Sequence, residues 1–415
     1  MSQLTRYKSY KDSGVQWLGE IPSHWDVKRM KFVVANVGDK IDAKESDLRY
    51  FGLENIESFT GKLLDSVELE SEGVGHRFQK DDVLFGKLSP YLAKVFLAQE
   101  EGLSSTEALV FRSSEVIYPK FLSYYCLSQD FINEVNGTTF GSKMPRASWD
   151  DISSFRMVYP SLDEQKIIAD FLDKRLAQVD ALIAKQETLL EKLAEQRVAL
   201  ISHAVTKGLN PDVEMKASGV QWLGQVPKNW EIANLRYFIS CNSGDVLESS
   251  KILRDTDEFN NVPVIGGNGL LGFTEKSNYK KECIAVGRVG ALCGNVHFVD
   301  YESWINENAL LIKLISDKFN INYLVYLLRS RNLNELASKT AQPLLTGTQV
   351  KAEKVCIPVI SEQIEIVKYL DANLQSLDKL LVTVNTTIQT LKEYRSALIT
   401  QVVTGKIDVR DIKVN

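Results

Sequence analysis

Two stretches of the 415-residue chain place an apolar residue at alternating steps of four and three. The first sets Leu172, Leu176, Val179, Ile183, Gln186, Leu190, Leu193, Arg197 and Leu200 on this period. The second sets Leu370, Leu374, Leu377, Leu381, Val384, Ile388, Leu391, Arg395 and Leu398 on it, position for position. Fifteen of the eighteen slots are apolar. A 3.5-residue period held over four heptads specifies a left-handed coiled-coil seam. Neither stretch contains Pro or Gly before Gly208 or Gly405 closes it, as a helix C-terminus requires. Asp163 and Ser361 are expected as N-caps, each followed by Glu and Gln at the positive end of the helix dipole. Seams matched in length are expected to pair antiparallel, which gives the molecule an approximate internal two-fold axis. Arg197 and Arg395 interrupt both seams at one slot. A register centred near Gln186 and Val384 would carry Arg197 towards Asp371 and Arg395 towards Asp173.

The repetition extends beyond the helices. "SGVQWLGEIPSHW" from Ser13 returns as "SGVQWLGQVPKNW" from Ser218, nine of thirteen positions being identical. "PSLDEQKIIADFLDKRLAQVDALI" from Pro160 returns as "PVISEQIEIVKYLDANLQSLDKLL" from Pro358. A duplicated unit sets the architecture: residues 1–160 form a first head, 161–207 a long helix, 208–358 a second head, 359–406 a second long helix, and 407–415 a tail. Inside each head, short alternating runs ("DDVLFGK", "ALVFRS"; "ECIAVGRV", "ALLIKLI") precede one amphipathic helix ("PKFLSYYCLSQDFINEVN"; "NINYLVYLLRSRNLNELA"). The expected class is α+β, a mixed α/β chain whose two heads carry twisted sheets and share common ends around divergent middles. The helix seam from 172 to 200 would span about 42 Å, close to the roughly 34–36 Å of one DNA turn.

Charge narrows the functions open to such a chain. The net charge is −5. Residues 33–160 carry 13 Lys/Arg against 20 Asp/Glu, and residues 238–357 carry 13 of each. A DNA-binding role therefore needs its cations gathered on one face, or phosphate contacts from another subunit. No run of about 18 apolar residues indicates a membrane span. The N-terminus lacks a signal-peptide core, and five scattered cysteines (Cys126, Cys241, Cys283, Cys293, Cys356) suit reduced thiols in the cytoplasm.

Catalytic signatures are missing. "GNGLLG" (Gly267, Gly269, Gly272) spells a dinucleotide fingerprint, but "FTEKSNYKKE" follows it where a helix should stand, so a tight glycine turn is expected. Neither a P-loop nor the tetrapeptide of an amino-methyltransferase is present. Cys283, Cys293 and His297 fit no zinc spacing and are expected to pack in a sheet; His24, His76, His203 and His297 suggest no triad. Trp17, Trp25, Trp222 and Trp230 belong to the repeated phrase. Residues present in both heads cannot distinguish two half-sites, so these rings are expected to dock against helix ends or partner subunits rather than stack on bases.

The repeated lead-in, the "GLENIES" turn and the "P…EQ" helix start with its "LD" pair resemble the specificity subunit of type I restriction–modification systems, over essentially the whole chain. The resemblance implies a non-catalytic DNA-recognition subunit. Each head would read half of a split, asymmetric site on double-stranded DNA, and the helix pair would set the unread spacer. It further implies a dock for two methyltransferase subunits and for restriction/translocase subunits, which would bring S-adenosylmethionine, ATP and Mg2+. A structural adaptor whose heads bind proteins is the alternative; a self-sufficient methyltransferase or nuclease is opposed by the missing motifs. DNA contacts are expected in non-shared loops mixing cations, amides and hydroxyls. In head one these are Lys87, Ser89, Tyr91, Ser142, Lys143 and Arg146. In head two they are Arg288, Asn295, Gln342, Thr346, Thr348 and Lys351.

Overall fold

The apolar runs "VLFG" and "CIAVG" are buried throughout, and their alternate side chains enter different clusters. In head one, Val83 and Phe85 join a core with Phe121 and Phe131, whereas Leu84 packs with Phe51 and Phe78. In head two, Ile284 and Val286 face Leu324 and Leu328, whereas Cys283 and Ala285 face Ile265 and Ile305. A strand covered on both faces reads as continuously hydrophobic, and here each is the middle layer of three. A computed structural model describes residues 5–64, 73–141, 143–338 and 342–412. By compactness the chain divides into Met1–Glu187 with Asn385–Asn415, and Thr188–Val384.

The first unit holds head one. Its main antiparallel sheet runs Val34–Val37, Ala108–Ser113, Val83–Gly86, Val95–Leu97 in spatial order. A second sheet orders Asp39–Asp42, Val74–Phe78, Gly102–Ser105 and Tyr50–Phe51, the last pair parallel. The second unit repeats the main sheet as Ile239–Ser243, Ala309–Leu314, Cys283–Gly287, Val296–Val299. Its second sheet is shorter: Gly269–Thr274, Val262–Gly266 and Trp304–Ile305, the last pair again parallel. The heads therefore share one sheet topology and diverge in the other. Each expected head helix is broken. Head one has Pro119–Leu127 and Gln129–Gly137, interrupted where Ser128 turns extended at ψ 139. Head two ends Ile321–Arg331 at Asn332, which is left-handed at φ 51.

The long helices run Leu162–Lys207 and Ile360–Val403. Each begins one residue before its expected cap. Ser161 Oγ accepts from the Glu164 amide at 3.5 Å, while Asp163 points into solvent; boundary residues are the least determined part of a periodic pattern. All eighteen seam positions are buried or half-buried. Pairing is antiparallel within each unit. In the first, Arg395 meets Asp180 at 2.9 Å and Lys392 approaches Glu187 at 4.0 Å. In the second, Arg197 pairs with Asp378, and Gly208 lies against Glu362.

Both arginine partners correct the expected register by one heptad: Asp180 rather than Asp173, and Asp378 rather than Asp371. A slip of seven residues preserves every seam contact type, so periodicity cannot choose between the two registers. The displaced aspartates have other work. Tyr124 Oη donates to Asp173 and Tyr326 Oη to Asp371, each at 2.5 Å, tying each head's helix to a long one.

Candidate nucleic-acid interface

The repeated phrases form the mount on which each head sits. Trp25 is fully buried and its indole donates to Glu164 at 3.1 Å; Trp230 donates to Glu362 at 3.0 Å. The neighbouring glutamine fixes the start of the helix in both copies. Gln165 accepts from the Tyr118 amide and donates to the Pro160 carbonyl; Gln363 accepts from Asn320 and donates to Pro358. At the far helix ends, Lys406 donates to the carbonyls of Leu18 and Glu20, and Lys207 to those of Leu223 and Gln225. Bonds repeated in matched pairs specify one seating. Trp25 and Trp230 are thus built into the mount at the helix ends, as expected of them, whereas Trp17 is 37% exposed. The copies differ in detail. Glu164 also accepts from Tyr7 and His24, both at 2.8 Å, while burial raises the Glu362 carboxyl above its ordinary range. Burial and the bond to Asp371 push Tyr326 up to about 12.

Away from the mount, the loops selected from sequence come together in pairs. In head one the segment after Val83–Gly86 lies beside the segment before the short helix Trp149–Ile152. Ser89 N donates to Pro145 O at 2.8 Å, and Ala147 N to Lys87 O at 2.9 Å. Head two repeats this ladder: Gly290 N to Pro343 O at 3.0 Å, and Leu345 N to Arg288 O at 2.9 Å. The matched positions extend to the amides of Lys87 and Arg288, which donate to Glu107 and Asn308. The backbone frame is thus common to both heads, and the side chains on it differ.

The selected residues do not all point outward from this frame. Tyr91, Lys143, Asn295, Gln342 and Thr348 are exposed, while Lys87, Ser89, Arg146, Arg288 and Lys351 are half-buried. Ser142 lies outside the described residues. Ser89 is left-handed at φ 51, a conformation that a tight loop imposes at some cost. Arg146 is held by Glu107, its Nε 3.0 Å from Oε2, a pair that sequence reading missed because 39 residues separate its members. Arg288 Nη1 donates to Ser243 Oγ at 2.8 Å. Thr346 caps the helix Gly347–Ala352 in a reciprocal box with Gln349, so its hydroxyl is occupied structurally.

"GGNGLLG" forms a β-hairpin between Val262–Gly266 and Gly269–Thr274, the glycine turn expected and not a phosphate loop. Cys283 sits in the central strand, and Cys293 Sγ contacts the Arg288 carbonyl at 3.2 Å. Burial pushes the Cys283 thiol up to about 11 and Cys241 up to about 12, which suits packing rather than nucleophilic attack. The arrangement offers hydrogen-bonding groups on a rigid ladder, suited to reading an edge.

Comparison with known proteins points in one direction. Residues 72–192 and 227–390 match the family model of the type I restriction modification DNA specificity domain. The type I restriction enzyme EcoprrI specificity subunit of Escherichia coli is 33% identical over 129 residues, 31% of this chain and 32% of that one. The MjaVIII specificity subunit of Methanocaldococcus jannaschii is 22% identical over 425 residues, 94% of this chain and 95% of its own. Among solved structures, a chain from work on complex assembly and conformational transition of the type I R-M system superposes with TM-score 0.75 at 19% identity. That match covers 92% of this chain and 98% of the other. The HsdS subunit from Thermoanaerobacter tengcongensis gives TM-score 0.55 at 18% identity, over 93% and 98% of the two chains. Among the described residues no helix is long and apolar enough to cross a membrane.

Proposed function

The chain belongs to the type I restriction–modification DNA specificity family, and from that premise we propose that its two heads read the two halves of a split, asymmetric DNA site. One observation carries this reading: the same two-loop ladder occurs in both heads with different side chains on it. Lys87 and Arg288 occupy equivalent backbone positions, as do Ser89 and Gly290. A shared frame with unlike side chains is what two readers of unlike half-sites require. Lys and Arg suit guanine edges or phosphates, and Asn and Gln suit adenine.

In this proposal the helix pair fixes the unread spacer. The mount holds the heads on that pair, and faces beyond it dock two methyltransferase subunits and the restriction subunits. The chain itself is non-catalytic and acts in the cytoplasm. S-adenosylmethionine, ATP and Mg2+ belong to the partners, which must flip the target base to reach it. A net charge of −5 implies that the partners also supply much of the phosphate contact.

The experiment is head exchange in the assembled complex, read by methylation-sensitive sequencing of the host genome. Replacing residues 33–158 by the corresponding part of a relative should change one half of the methylated motif and leave the other intact. A motif unchanged in both halves, or methylation by the purified chain alone, would refute the proposal.

A further inference from the structure

The second head carries a feature beside its ladder that the first head builds differently. The turn of the Val262–Gly266/Gly269–Thr274 hairpin lies back to back with the strand end that presents Arg288. A Cβ on Gly267 would sit 3.1 Å from Asn308 O and 3.3 Å from Gly287 Cα; one on Gly287 would sit 2.6 Å from Gly267 O. Gly269 adopts φ +87 against the His297 ring, where a Cβ would sit 3.3 Å from the imidazole. Glycine in a strand end marks such a close backbone approach. At the corresponding place in head one, the side chain of Leu53 meets Gly86, and the turn is closed by Gly52 N donating to Asn55 Oδ1 at 2.8 Å.

What the hairpin presents is not explained by packing. Asn268 is exposed at its tip. Leu270 and Leu271, next in the chain, are 57% and 48% exposed. The glycines fix these side chains at the edge of the surface that carries Arg288 and Asn295. An asparagine amide both donates and accepts, so it bonds a base edge or a phosphate oxygen equally well. We propose that the Gly267–Leu271 tip is a further DNA-contacting element of head two, with the Asn268 amide hydrogen-bonding the duplex beside Arg288. This rests on the reading of head two as a DNA reader, and it adds a residue to that surface.

The test is DNA binding by the assembled complex carrying Asn268→Ala or Asn268→Asp, with wild type and Arg288→Ala measured alongside. The Ala variant removes the amide without adding charge and is the deciding arm. The Asp variant keeps the shape but replaces the donor with a carboxylate that also repels phosphate, and thermal melting of both checks that the fold survives. Affinity for the split site should fall about 5- to 100-fold in each. A loss confined to one base pair of the second half-site identifies a base edge. A loss spread evenly over all sequences, with the salt dependence of the Ala variant unchanged because a neutral amide displaces no counterion, identifies a phosphate, and it equally supports the contact. Unchanged affinity in Asn268→Ala, while Arg288→Ala weakens binding, overturns the hairpin contact alone. Wild-type complex that does not prefer a split site removes the premise together with the proposal.

Discussion

Arg395 and Arg197 occupy the same slot of two matched seams and meet opposite fates. The Arg395 guanidinium is buried, bound to Asp180 at 2.9 Å and to the carbonyls of Phe59 and Thr60 at 2.6 and 3.0 Å. These carbonyls belong to the loop that follows the "GLENI" turn, so one side chain ties head one to the helix pair. Arg197 is 35% exposed, and its partner Asp378 is 55% exposed. Arg395→Ala leaves Asp180 its Lys62 contact at 2.7 Å but removes the donor to the Phe59 and Thr60 carbonyls. Breaking a buried hydrogen-bonded pair costs up to about 3–5 kcal/mol, whereas an exposed pair contributes about 0–1 kcal/mol. Arg395→Ala should therefore destabilise the first unit by several times the effect of Arg197→Ala on the second. Chemical denaturation of the two variants measures this difference directly. Equal losses would show that the loop bonds contribute nothing.

At the scale of elements, the long helices were legible because a seven-residue period is redundant: any few slots predict the rest. Their register was not, since Asp173 and Asp180 are a heptad apart and head-one side chains decide which one Arg395 takes: Tyr124 and Lys120 hold Asp173, and Lys62 joins Arg395 on Asp180. The central strands were legible as apolar runs. The pairing of the Lys87 loop with the Arg146 loop was invisible, because it joins positions nearly 60 residues apart through backbone bonds that carry no sequence signature. Four of the loop choices converge on two ladders, while the capping role of Thr346 and the Glu107 partner of Arg146 needed coordinates. The helix pair also carries a prediction that follows from the proposed spacer role. One heptad inserted into each long helix adds about 10.5 Å, equivalent to roughly three base pairs at 3.4 Å each. The methylated motif should keep both half-sites and widen between them by that amount. A motif of unchanged spacing from a fully active complex would remove the helix pair from any measuring role.

At the scale of the whole chain, head one is completed by residues more than 200 positions beyond it in sequence. Ile399, Val402, Val403, Ile407 and Val409 are buried in the same core as Trp25, Phe121 and Leu172. The Asp408 amide donates to Thr5 O at 2.8 Å, and Gly405, at φ +72, lies against Pro22 and Trp25. The helix that ends at Gly208 meets the second lead-in as its direct continuation; the helix that ends at Gly405 meets the first lead-in although nothing joins them in sequence. Each unit is thus built on the same plan, one covalently continuous and the other closed only by packing. Deleting residues 399–415 removes five buried aliphatic side chains. At about 1.5–3 kcal/mol each, their loss is comparable with the roughly 5–15 kcal/mol that holds a domain folded. The core of head two contains no residue beyond Leu374 among its buried members, so it should survive. Limited proteolysis of the truncated chain should cleave within residues 1–160 and leave 208–358 protected. Protection of residues 1–160 would mean that head one holds together without the C-terminal segment, and that its packing there is incidental.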